Sequence, residues 1–278
     1  AGRWLRWKPF VFEVRDSWPE LPIAMGVVTN PVVILLLRIL ERCIYLSANH
    51  VIGLAPGIIL EAHEKGVPEG HTTLIPNGCD EEFKGQPRVL FGGGVRMVFS
   101  GAHGRANGLY QILTVALELK QRGLNDVQII FVGEGSEKAG LIERAEQEGL
   151  ENCKFLSAMP KRELIPFLHS CHFGIMCLDN VPSFYNGTSP NKFFDYIASG
   201  LPIAINYPGW IAELVEKLQC GFVAKPGDAG QYVEQLLYTI NNPKKVTEMS
   251  VAAIRLSNQF RRDDLATRFE KTLIKVLK

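Results

Sequence analysis

Short apolar runs alternate along the chain with longer segments in which apolar residues recur every three or four positions. The short runs predict buried β-strands, and the longer segments predict helices that cover them. The strands are predicted at residues 10–14, 51–54, 72–75, 97–100, 127–132, 153–156, 173–176, 203–205 and 221–224. The helices are predicted at residues 31–47, 58–65, 109–122, 137–148, 161–170, 190–199, 210–217, 230–241, 244–260 and 265–277. This alternation favours an α/β fold with parallel sheets and helices on both faces.

A glycine- and proline-containing stretch interrupts the alternation at residues 79–94, which include Gly92-Gly93-Gly94, and predicts a linker between two domains. We therefore expect one domain at residues 1–88 and a second at residues 89–278. The second contains enough strand–helix units for a complete doubly wound sheet, whereas the first contains only about three and is expected to be truncated. The sequence leaves open whether the last helix, at about residues 262–278, crosses back to the first domain.

The composition of the chain argues against several classes of protein. The chain has 278 residues, 46% of them hydrophobic, and a formal net charge of +1, which argues against a nucleic-acid-binding protein. Its six cysteines form no CxxC pair, so we expect free and mostly buried thiols in a reducing compartment rather than disulfides or a zinc site. There is neither an apolar run of about 18 residues nor a signal-peptide pattern, so a cytoplasmic location is expected.

The segment around residues 189–200 carries the clearest chemical signal. Ser189 is a favourable N-cap and Pro190 a favourable first helical residue, and such a helix start attracts phosphate. Lys192 adds a full positive charge in the first turn, and Asp195 lies three residues later on the same face, where it could accept hydrogen bonds from a ribose diol. An ordinary capped helix without a ligand is the alternative.

A second candidate is the loop that leaves the strand at residues 97–100. Gly101 and Gly104 permit close approach of a ligand to the backbone, and Arg105 could bind a diphosphate with two hydrogen bonds. The spacing matches neither a GxGxxG dinucleotide motif nor a P-loop. His103 is either a phosphate donor or a solvated loop histidine.

Three further segments have open interpretations. Gly133 follows the strand at residues 127–132 and marks either a ligand-proximal loop or a simple tight turn. Arg15 and Asp16 follow the first strand. Asp16 could act as a general base, and Arg15 could contact phosphate or the acceptor. Alternatively, the two residues form a salt-bridged loop. The residues from Arg3 to Lys8 mix cations with tryptophans and indicate either membrane-surface contact or the exposed end of a truncated helix.

In combination, these segments resemble the family-4 glycosyltransferases of the GT-B fold. The resemblance covers nearly the whole chain and is closest to the bacterial O-antigen and capsule branch that includes N-acetyl-fucosamine transferases. The matching stretches are Phe12 to Glu20, Ala48 to Gly57, Ile75 to Asp80, Gly101 to Gly108, Phe131 to Gly135, and Ser189 to Pro202. The resemblance implies two Rossmann-like domains facing across a cleft, with the donor nucleotide on the C-terminal domain and the acceptor on the N-terminal one.

The resemblance also assigns roles to residues. It places Arg105 on the donor diphosphate and Asp195 on the ribose diol, and Lys192 is expected to supply the charge of a lysine that relatives carry after Arg105. Relatives have two glutamates eight residues apart, and the first of these positions is occupied here by Gly187. We expect backbone N–H groups in the segment Gly187-Thr188-Ser189 to replace that carboxylate.

The function implied is retaining transfer of a sugar, expected to be an N-acetyl amino sugar, from a UDP-sugar to a lipid-linked saccharide at the cytoplasmic membrane face. Neither a metal nor another cofactor is expected. Electrostatic stabilisation of the departing UDP by Arg105, Lys192 and a helix N-terminus would drive the reaction. The chain by itself is expected to bind nucleotide weakly and to turn over slowly. The alternatives are a UDP-sugar 2-epimerase, which would need more acid/base groups, and a binding subunit without catalysis.

Overall fold

The computed structural model describes residues 8–90 and 94–277, which form two compact units. Unit 1 contains the described residues up to Gly78, together with Val181–Pro190 and those from Phe260 onward. Unit 2 contains Cys79–Asn180 and Asn191–Gln259, apart from the three residues that are not described. The first part of the expected linker thus groups with unit 2, and the last helix groups with unit 1. The linker residues Gly92 and Gly93, and the N-terminal cations and tryptophans before Lys8, lie outside the described residues.

The strands and helices follow the predicted order. The strands are β1 Val11–Val14, β2 His50–Gly53, β3 Thr72–Leu74, β4 Val95–Ser100, β5 Val127–Val132, β6 Cys153–Leu156, β7 Phe173–Met176, β8 Ile203–Ile205 and β9 Gly221–Val223. The helices are α1 Glu20–Ala24, α2 Pro31–Ser47, α3 Pro56–Glu64, α4 Leu109–Gln121, α5 Lys138–Gln147, α6 Lys161–His169, α7 Ser183–Gly187, α8 Asn191–Ala198, α9 Trp210–Leu218, α10 Ala229–Ile240, α11 Pro243–Ser257 and α12 Arg262–Leu277.

Unit 1 is built on a parallel sheet in the order β1-β2-β3. Ile52 and Ile75 on the sheet side pack with Leu265 of α12, and this hydrophobic contact attaches the last helix to unit 1. Helix α2 begins where Asn30 accepts backbone hydrogen bonds from Val32 and Val33 at 2.9 and 3.3 Å, and Pro31 supplies a first helical residue that needs no partner.

Unit 2 is built on a six-stranded parallel sheet in the order β6-β5-β4-β7-β8-β9. From β4 the chain adds β5 and then β6 on one side of the sheet. It then returns and adds β7, β8 and β9 on the other side of β4. This is the doubly wound arrangement that the alternation predicts. The strand order reverses between β4 and β7, and the crevice at the carboxyl ends of such a strand pair is where open α/β sheets bind ligands.

The differences from the predicted elements are local. Two helices of five residues each, α1 and α7, are missing from the sequence-based prediction because so few residues show no clear period. The predicted helix at residues 244–260 ends at Ser257 and continues as a 3₁₀ turn, Asn258–Phe260. The six cysteines are free, as expected, although Cys43 is exposed. Within the described ranges, no helix is long and apolar enough to cross a membrane.

One buried cation organises the start of unit 2. Arg88 is 8% exposed, and its guanidinium donates to the carbonyls of Gln86 and Cys171 at 2.9 Å, Leu168 at 3.3 Å and Ser199 at 2.7 Å. The last three carbonyls lie at the C-terminal ends of α6 and α8, where backbone acceptors lack partners within the helix. Arg88 therefore holds the ends of two helices against the segment that precedes β4.

We expect Arg88→Met to lower the free energy of unfolding by about 3 kcal/mol, because it leaves buried carbonyls without donors. The measurement is urea unfolding followed by circular dichroism. Arg162→Met is the control, since the side chain of Arg162 is 84% exposed and should change stability by less than about 0.5 kcal/mol. A loss from Arg88→Met no larger than that of the control would contradict this role.

Candidate functional site

The carboxyl edge of the sheet in unit 2 carries three connected loops. The first, between β4 and α4, runs from Gly101 through a 3₁₀ turn, Arg105–Asn107, to Gly108, which has the left-handed φ of +55°. The second follows β5 and begins at Gly133, and the third follows β7. The backbone N–H of Asp179 in the third loop donates to the carbonyl of Ala106 at 2.9 Å.

Gly101 and Gly133 bring the first two loops into direct backbone contact. The Gly101 N–H donates to the carbonyl of Val132 at 2.9 Å, and the His103 N–H donates to the carbonyl of Glu134 at 2.8 Å. A Cβ atom at position 133 would lie 1.9 Å from the Gly101 oxygen, and φ at Gly133 is +149°. Only glycine fits at position 133, directly after the apolar strand, because any side chain would overlap the Gly101 oxygen. Glycine at 133 is a requirement of the loop packing.

His103 lies beneath these loops. The interpretation of this residue as a solvated loop histidine is wrong, because its side chain is 0% exposed. Its role as a phosphate donor stays untested. The ring packs near Phe99 and Phe131, with ring centroids 6.0 and 6.3 Å away, and neither ring nitrogen has a hydrogen-bond partner among the described residues. Burial lowers the pKa of His103, and the neighbouring Lys138 lowers it further. His103 is therefore a neutral packing residue.

Lys192 lies at the start of α8 and points back to the first loop. Its ammonium nitrogen donates to Asn107 Oδ1 at 2.8 Å and lies 3.9 Å from the centre of the Phe99 ring. Asn107 in turn donates from Nδ2 to the carbonyl of Ala102 at 2.8 Å, so the loop holds the acceptor in place. A Cβ at Gly101 would lie 3.2 Å from Lys192 Cε, so the stem of the lysine runs along the glycine backbone.

The position of α8 is fixed by a buried tyrosine. The backbone N–H and the hydroxyl of Ser100 both donate to the Tyr196 hydroxyl oxygen, at 2.7 and 3.1 Å. The Tyr196 ring packs against Gly174 of β7, where a Cβ would lie 2.4 Å from the ring. Lys192 is thus carried on a helix that is anchored to the ends of β4 and β7, and Asp195 follows one turn later as a half-buried residue.

The charge at this edge is positive and largely uncompensated. Removal from water lowers the pKa of Lys192 to about 7, and no carboxylate among the described residues forms an ion pair with it. Arg105 is exposed, and its guanidinium forms no hydrogen bond or ion pair with a described residue. Glu134 is the nearby acid of the second loop, and its pKa is lowered by Lys138, which donates to it at 2.8 Å. Two cations therefore remain for an anionic group.

In unit 1, the predicted acceptor-side residues lie after β1. Arg15 is exposed and forms an ion pair with Glu13 at 3.1 Å. Desolvation raises the pKa of Asp16, and the charge of Arg15 opposes that shift. Ser17 is buried, and a Cβ at Gly187 would lie 2.7 Å from its hydroxyl oxygen. Gly187 therefore has no space for the carboxylate that relatives carry unless Ser17 moves.

The other predicted donor-binding residues of that segment also group with unit 1. Thr188 donates from its hydroxyl to the carbonyl of Phe184 at 2.9 Å. The Ser189 hydroxyl accepts the backbone N–H of Asn77 at 3.1 Å, and its carbonyl accepts the side-chain amide of Asn77. Pro190 follows Ser189, and α8 begins at Asn191. That Ser189 caps this helix stays a prediction.

The structure thus brings together Gly101, Gly133 and Lys192, with Arg105 and Gly104 on the same loop. It places Arg15, Asp16 and the segment Gly187–Pro190 in the other unit. Sequence reasoning missed Asn107, which orients Lys192. The only sequence signal for it is a polar residue directly before the helix-starting Gly108.

A separate cavity of about 60 Å³ lies elsewhere in unit 2, between α4 and the start of α10. It is lined by residues that include Gln111, Asn206, Lys225 and Tyr232, and none of its lining residues belongs to the predicted site. Asn206 Oδ1 and the Tyr232 hydroxyl are buried without a hydrogen-bond partner among the described residues. A volume of this size holds a few water molecules.

Comparisons with known proteins identify the family and the fold of the chain. The model of the family described as "Glycosyl transferases group 1" matches residues 80–256, which is more than half of the chain. The chain belongs to this family. A comparison with curated proteins found no match.

Solved structures show the same fold for this glycosyl transferase. HepE from Anabaena, in complex with UDP and glucose, is 16% identical with a TM-score of 0.77, over 98% of this chain and 73% of HepE. Sucrose-phosphate synthase from Thermosynechococcus elongatus is 16% identical with a TM-score of 0.76, over 99% of this chain and 70% of the synthase. WaaG is 14% identical with a TM-score of 0.66, over 89% of this chain and 70% of WaaG. The GT-B fold expected from the sequence is confirmed.

We expect Gly133→Ala to destabilise the protein by about 3 kcal/mol, because the added Cβ would overlap the Gly101 oxygen at a strained φ. Gly104→Ala is the matched control in the adjoining loop: φ there is −106°, and no atom lies within 4 Å of the added Cβ. Thermal unfolding of both variants measures the difference. Equal stability of the two alanine variants would refute the role of the glycine contact.

We expect Lys192→Met to raise the unfolding midpoint by about 2 °C or more at pH 6, because a thioether on Phe99 replaces a poorly hydrated ammonium. The pKa of Lys192 in the folded protein, about 7, is below its ordinary value of 10.5, so the unfolded chain binds more protons between these values. The parent protein therefore gains stability as pH rises through this window. The advantage of the variant should shrink from pH 7 towards pH 10, and an advantage that does not change with pH would contradict the explanation.

Proposed function

We propose that this protein transfers an N-acetyl amino sugar, with retention of configuration, from a UDP-sugar to a lipid-linked saccharide at the cytoplasmic face of the membrane. The product would belong to a cell-surface polysaccharide such as O-antigen or capsule. No metal is needed in this proposal, since protein cations supply the charge that the diphosphate requires.

The observation that supports the proposal most directly is the environment of the Lys192 ammonium group. Its ammonium is half-buried, has a neutral hydrogen-bond partner in Asn107, and has no carboxylate partner among the described residues. An ammonium in that position is stabilised by an anion of matching size. Arg105, exposed on the loop that Lys192 contacts, adds a second charge with two parallel donors, which suits a diphosphate.

The chemistry follows from where negative charge develops. The bond between the anomeric carbon and the β-phosphate oxygen breaks, and both electrons of that bond leave with UDP. Lys192 and Arg105 stabilise the departing diphosphate more strongly than the intact donor, because its charge increases in the transition state. The half-buried Asp195, one turn after Lys192 on α8, is assigned to the ribose hydroxyls. Gly101 and Gly133 are assigned to the nucleotide site because the absence of a side chain lets a ligand approach the backbone of these loops.

On the acceptor side, Asp16 is proposed to accept the proton of the attacking hydroxyl. Its raised pKa makes it a stronger base than an ordinary aspartate. Arg15 is assigned to an anionic part of the acceptor. Retention requires the acceptor oxygen to form its bond to the anomeric carbon on the same face from which UDP departs. Its proton goes to Asp16 and the electrons of the broken bond leave with UDP, so the step balances.

The comparisons support this proposal at the level of donor and pathway class. HepE, which has the same fold, was solved with UDP and glucose, and WaaG is a glycosyltransferase involved in lipopolysaccharide biosynthesis. The amino sugar and the lipid-linked acceptor rest on the sequence resemblance to the N-acetyl-fucosamine transferase branch.

A nucleotide-sugar-binding subunit without turnover is the second candidate. Gly187 favours it, because this position has no carboxylate and its contact with Ser17 leaves no space for one. In the transferase proposal, Gly187, Thr188, Ser189 and Pro190 remain the residues assigned to the donor sugar.

The test is calorimetric titration with UDP and with UDP-N-acetylglucosamine, with GDP and NAD as nucleotide controls. We expect selective UDP binding that Arg105→Ala, Lys192→Met and Asp195→Ala each weaken about tenfold to a hundredfold. Lys244→Met is the matched control, since its side chain is 86% exposed on α11 and its removal also subtracts one charge. Binding of UDP no tighter than GDP or NAD would overturn the proposed donor, and UDP binding without any transferase activity in a chain supplied with acceptor would favour the subunit.

The pH dependence gives a sharper test of Lys192. Its pKa is about 7 in the free protein, and a bound diphosphate should raise it, so binding takes up a proton above pH 7. Affinity for UDP-N-acetylglucosamine, whose two phosphates do not titrate in this range, should therefore fall as pH rises from 7 to 9. Lys192→Arg should bind with little pH dependence, because arginine stays charged throughout. The same slope in both proteins would exclude Lys192 as the diphosphate contact.

A further inference from the structure

The cavity between α4 and the start of α10 has a buried floor and an exposed rim. Val115, Asn206 and Tyr232 line it and are buried. Lys225 and Asp228 line it as well, and both are exposed. The cavity therefore opens to solvent on the side of the loop between β9 and α10. Its volume of about 60 Å³ gives room for about four to six non-hydrogen atoms.

A chain of hydrogen bonds orients the side-chain amide of Asn206. Gln111 donates from Nε2 to the carbonyl of Leu178 at 3.2 Å, so its oxygen Oε1 is the atom that faces Asn206. Asn206 Nδ2 donates to that oxygen at 3.0 Å and to Cys177 Sγ at 3.3 Å. Both protons of the amide are then used inside the fold. The acceptor Oδ1 of Asn206 remains without a partner among the described residues.

Tyr232 supplies the complementary donor. Its ring packs edge-on against Phe222, with ring centroids 5.2 Å apart, and its backbone N–H donates to the carbonyl of Asp228 at 3.1 Å. These contacts fix the side chain, while the hydroxyl has no partner within the described part of the chain. Burial raises the pKa of Tyr232, so the hydroxyl keeps its proton and can donate it. A buried donor and a buried acceptor lower stability unless a further molecule pairs with them.

The rim repeats this pairing of a donor with an acceptor. The Lys225 N–H donates to Gln231 Oε1 at 2.7 Å, and the Gln231 N–H donates to Asp228 Oδ1 at 2.8 Å, so the loop before α10 is held in place. The Asp228 carboxylate keeps its second oxygen as an acceptor, and the Lys225 side chain offers an ammonium donor. Because these two charges are opposite and the other lining residues are uncharged, the lining as a whole is neutral.

A polyol has the hydrogen-bonding pattern that this lining requires. Each hydroxyl group both donates and accepts, so one hydroxyl can pair with Asn206 and Tyr232 at the floor while its neighbour pairs with Lys225 and Asp228 at the rim. A carboxylate has no proton to offer the Asn206 oxygen, and an ammonium ion cannot accept from the Tyr232 hydroxyl. An alkyl group would leave both floor groups unpaired. The lining therefore favours a neutral molecule with vicinal hydroxyl groups, about the size of glycerol.

We propose that this cavity is a binding site for a small neutral polyol, held at the floor by Asn206 and Tyr232 and at the rim by Lys225 and Asp228. The site goes beyond the proposed function and does not depend on it, because none of these residues belongs to the predicted nucleotide site and no transfer step is involved. All residues that line the cavity belong to unit 2, so this unit by itself forms the site.

Nuclear magnetic resonance of the isotope-labelled full chain tests the site directly. Titration with glycerol should give saturable shifts of the backbone amide signals of Gly227 and Ala229 and of the Asn206 side-chain amide, with a dissociation constant on the order of 1–10 mM. Ethylene glycol dimethyl ether has as many non-hydrogen atoms as glycerol but no hydroxyl proton, so it should bind at least about tenfold more weakly. Binding of the ether as tight as that of glycerol would overturn the proposal. The absence of saturable shifts with glycerol would also overturn it and would mean that the cavity holds water only.

Variants identify the contacts. Tyr232→Phe removes only the floor hydroxyl and should weaken glycerol binding about fivefold to tenfold, while its unfolding midpoint stays within about 1 °C of the parent protein. Tyr238→Phe is the matched control on the same helix, since this side chain is 62% exposed, and it should bind glycerol as the parent does. Lys192→Met should also bind glycerol unchanged, which separates the cavity from the nucleotide site.

Two results from these variants would overturn the assignment. One is equal affinity of Tyr232→Phe and the parent protein for glycerol, and the other is loss of glycerol binding in Lys192→Met. Because no nucleotide is present in these measurements, either result is independent of whether UDP binds.

Discussion

The contact between the Gly101 carbonyl and the α-carbon of Gly133 is the constraint on which the site in unit 2 depends. It requires glycine at position 133, because any side chain would overlap the carbonyl oxygen. It also brings the loops after β4 and β5 close enough to exchange backbone hydrogen bonds and to enclose the His103 ring. The edge of the sheet is therefore lined by glycine backbone, along which Lys192 can lie.

The charge on Lys192 lowers the stability of the folded protein. An ammonium removed from water and given only Asn107 and the Phe99 ring as partners destabilises the folded state. Its position is nevertheless well defined, since Tyr196 anchors the helix that carries it to Ser100. A buried cation that is held in place but not neutralised is the arrangement expected of a site for an anion rather than of a structural ion pair.

Much of the fold and part of the site could be predicted from local sequence. The order of strands and helices follows from periodicity, and Gly101, Arg105 and Lys192 were identifiable because they lie at the ends of predicted strands and the start of a predicted helix. The burial of His103 was not predictable, because whether a loop histidine meets water depends on a second loop that comes thirty residues later in the chain. The hydrogen bond between the Ser189 hydroxyl and Asn77 was not predictable either, because Asn77 lies far away in sequence.

By itself, the sequence determined the alternation of elements, the doubly wound sheet and the glycine-rich strand ends, since these depend on residue type and spacing over a few neighbours. Only the tertiary structure decided which polar groups are partnered. It assigned Asn107 to Lys192, gave Arg88 four backbone carbonyls, and set Gly187 against Ser17. The tertiary structure also decided which side of α2 is exposed. Apolar residues occur on both faces of this helix, so its sequence does not indicate which face is covered. These outcomes depend on contacts between residues distant in sequence, for which local patterns contain no information.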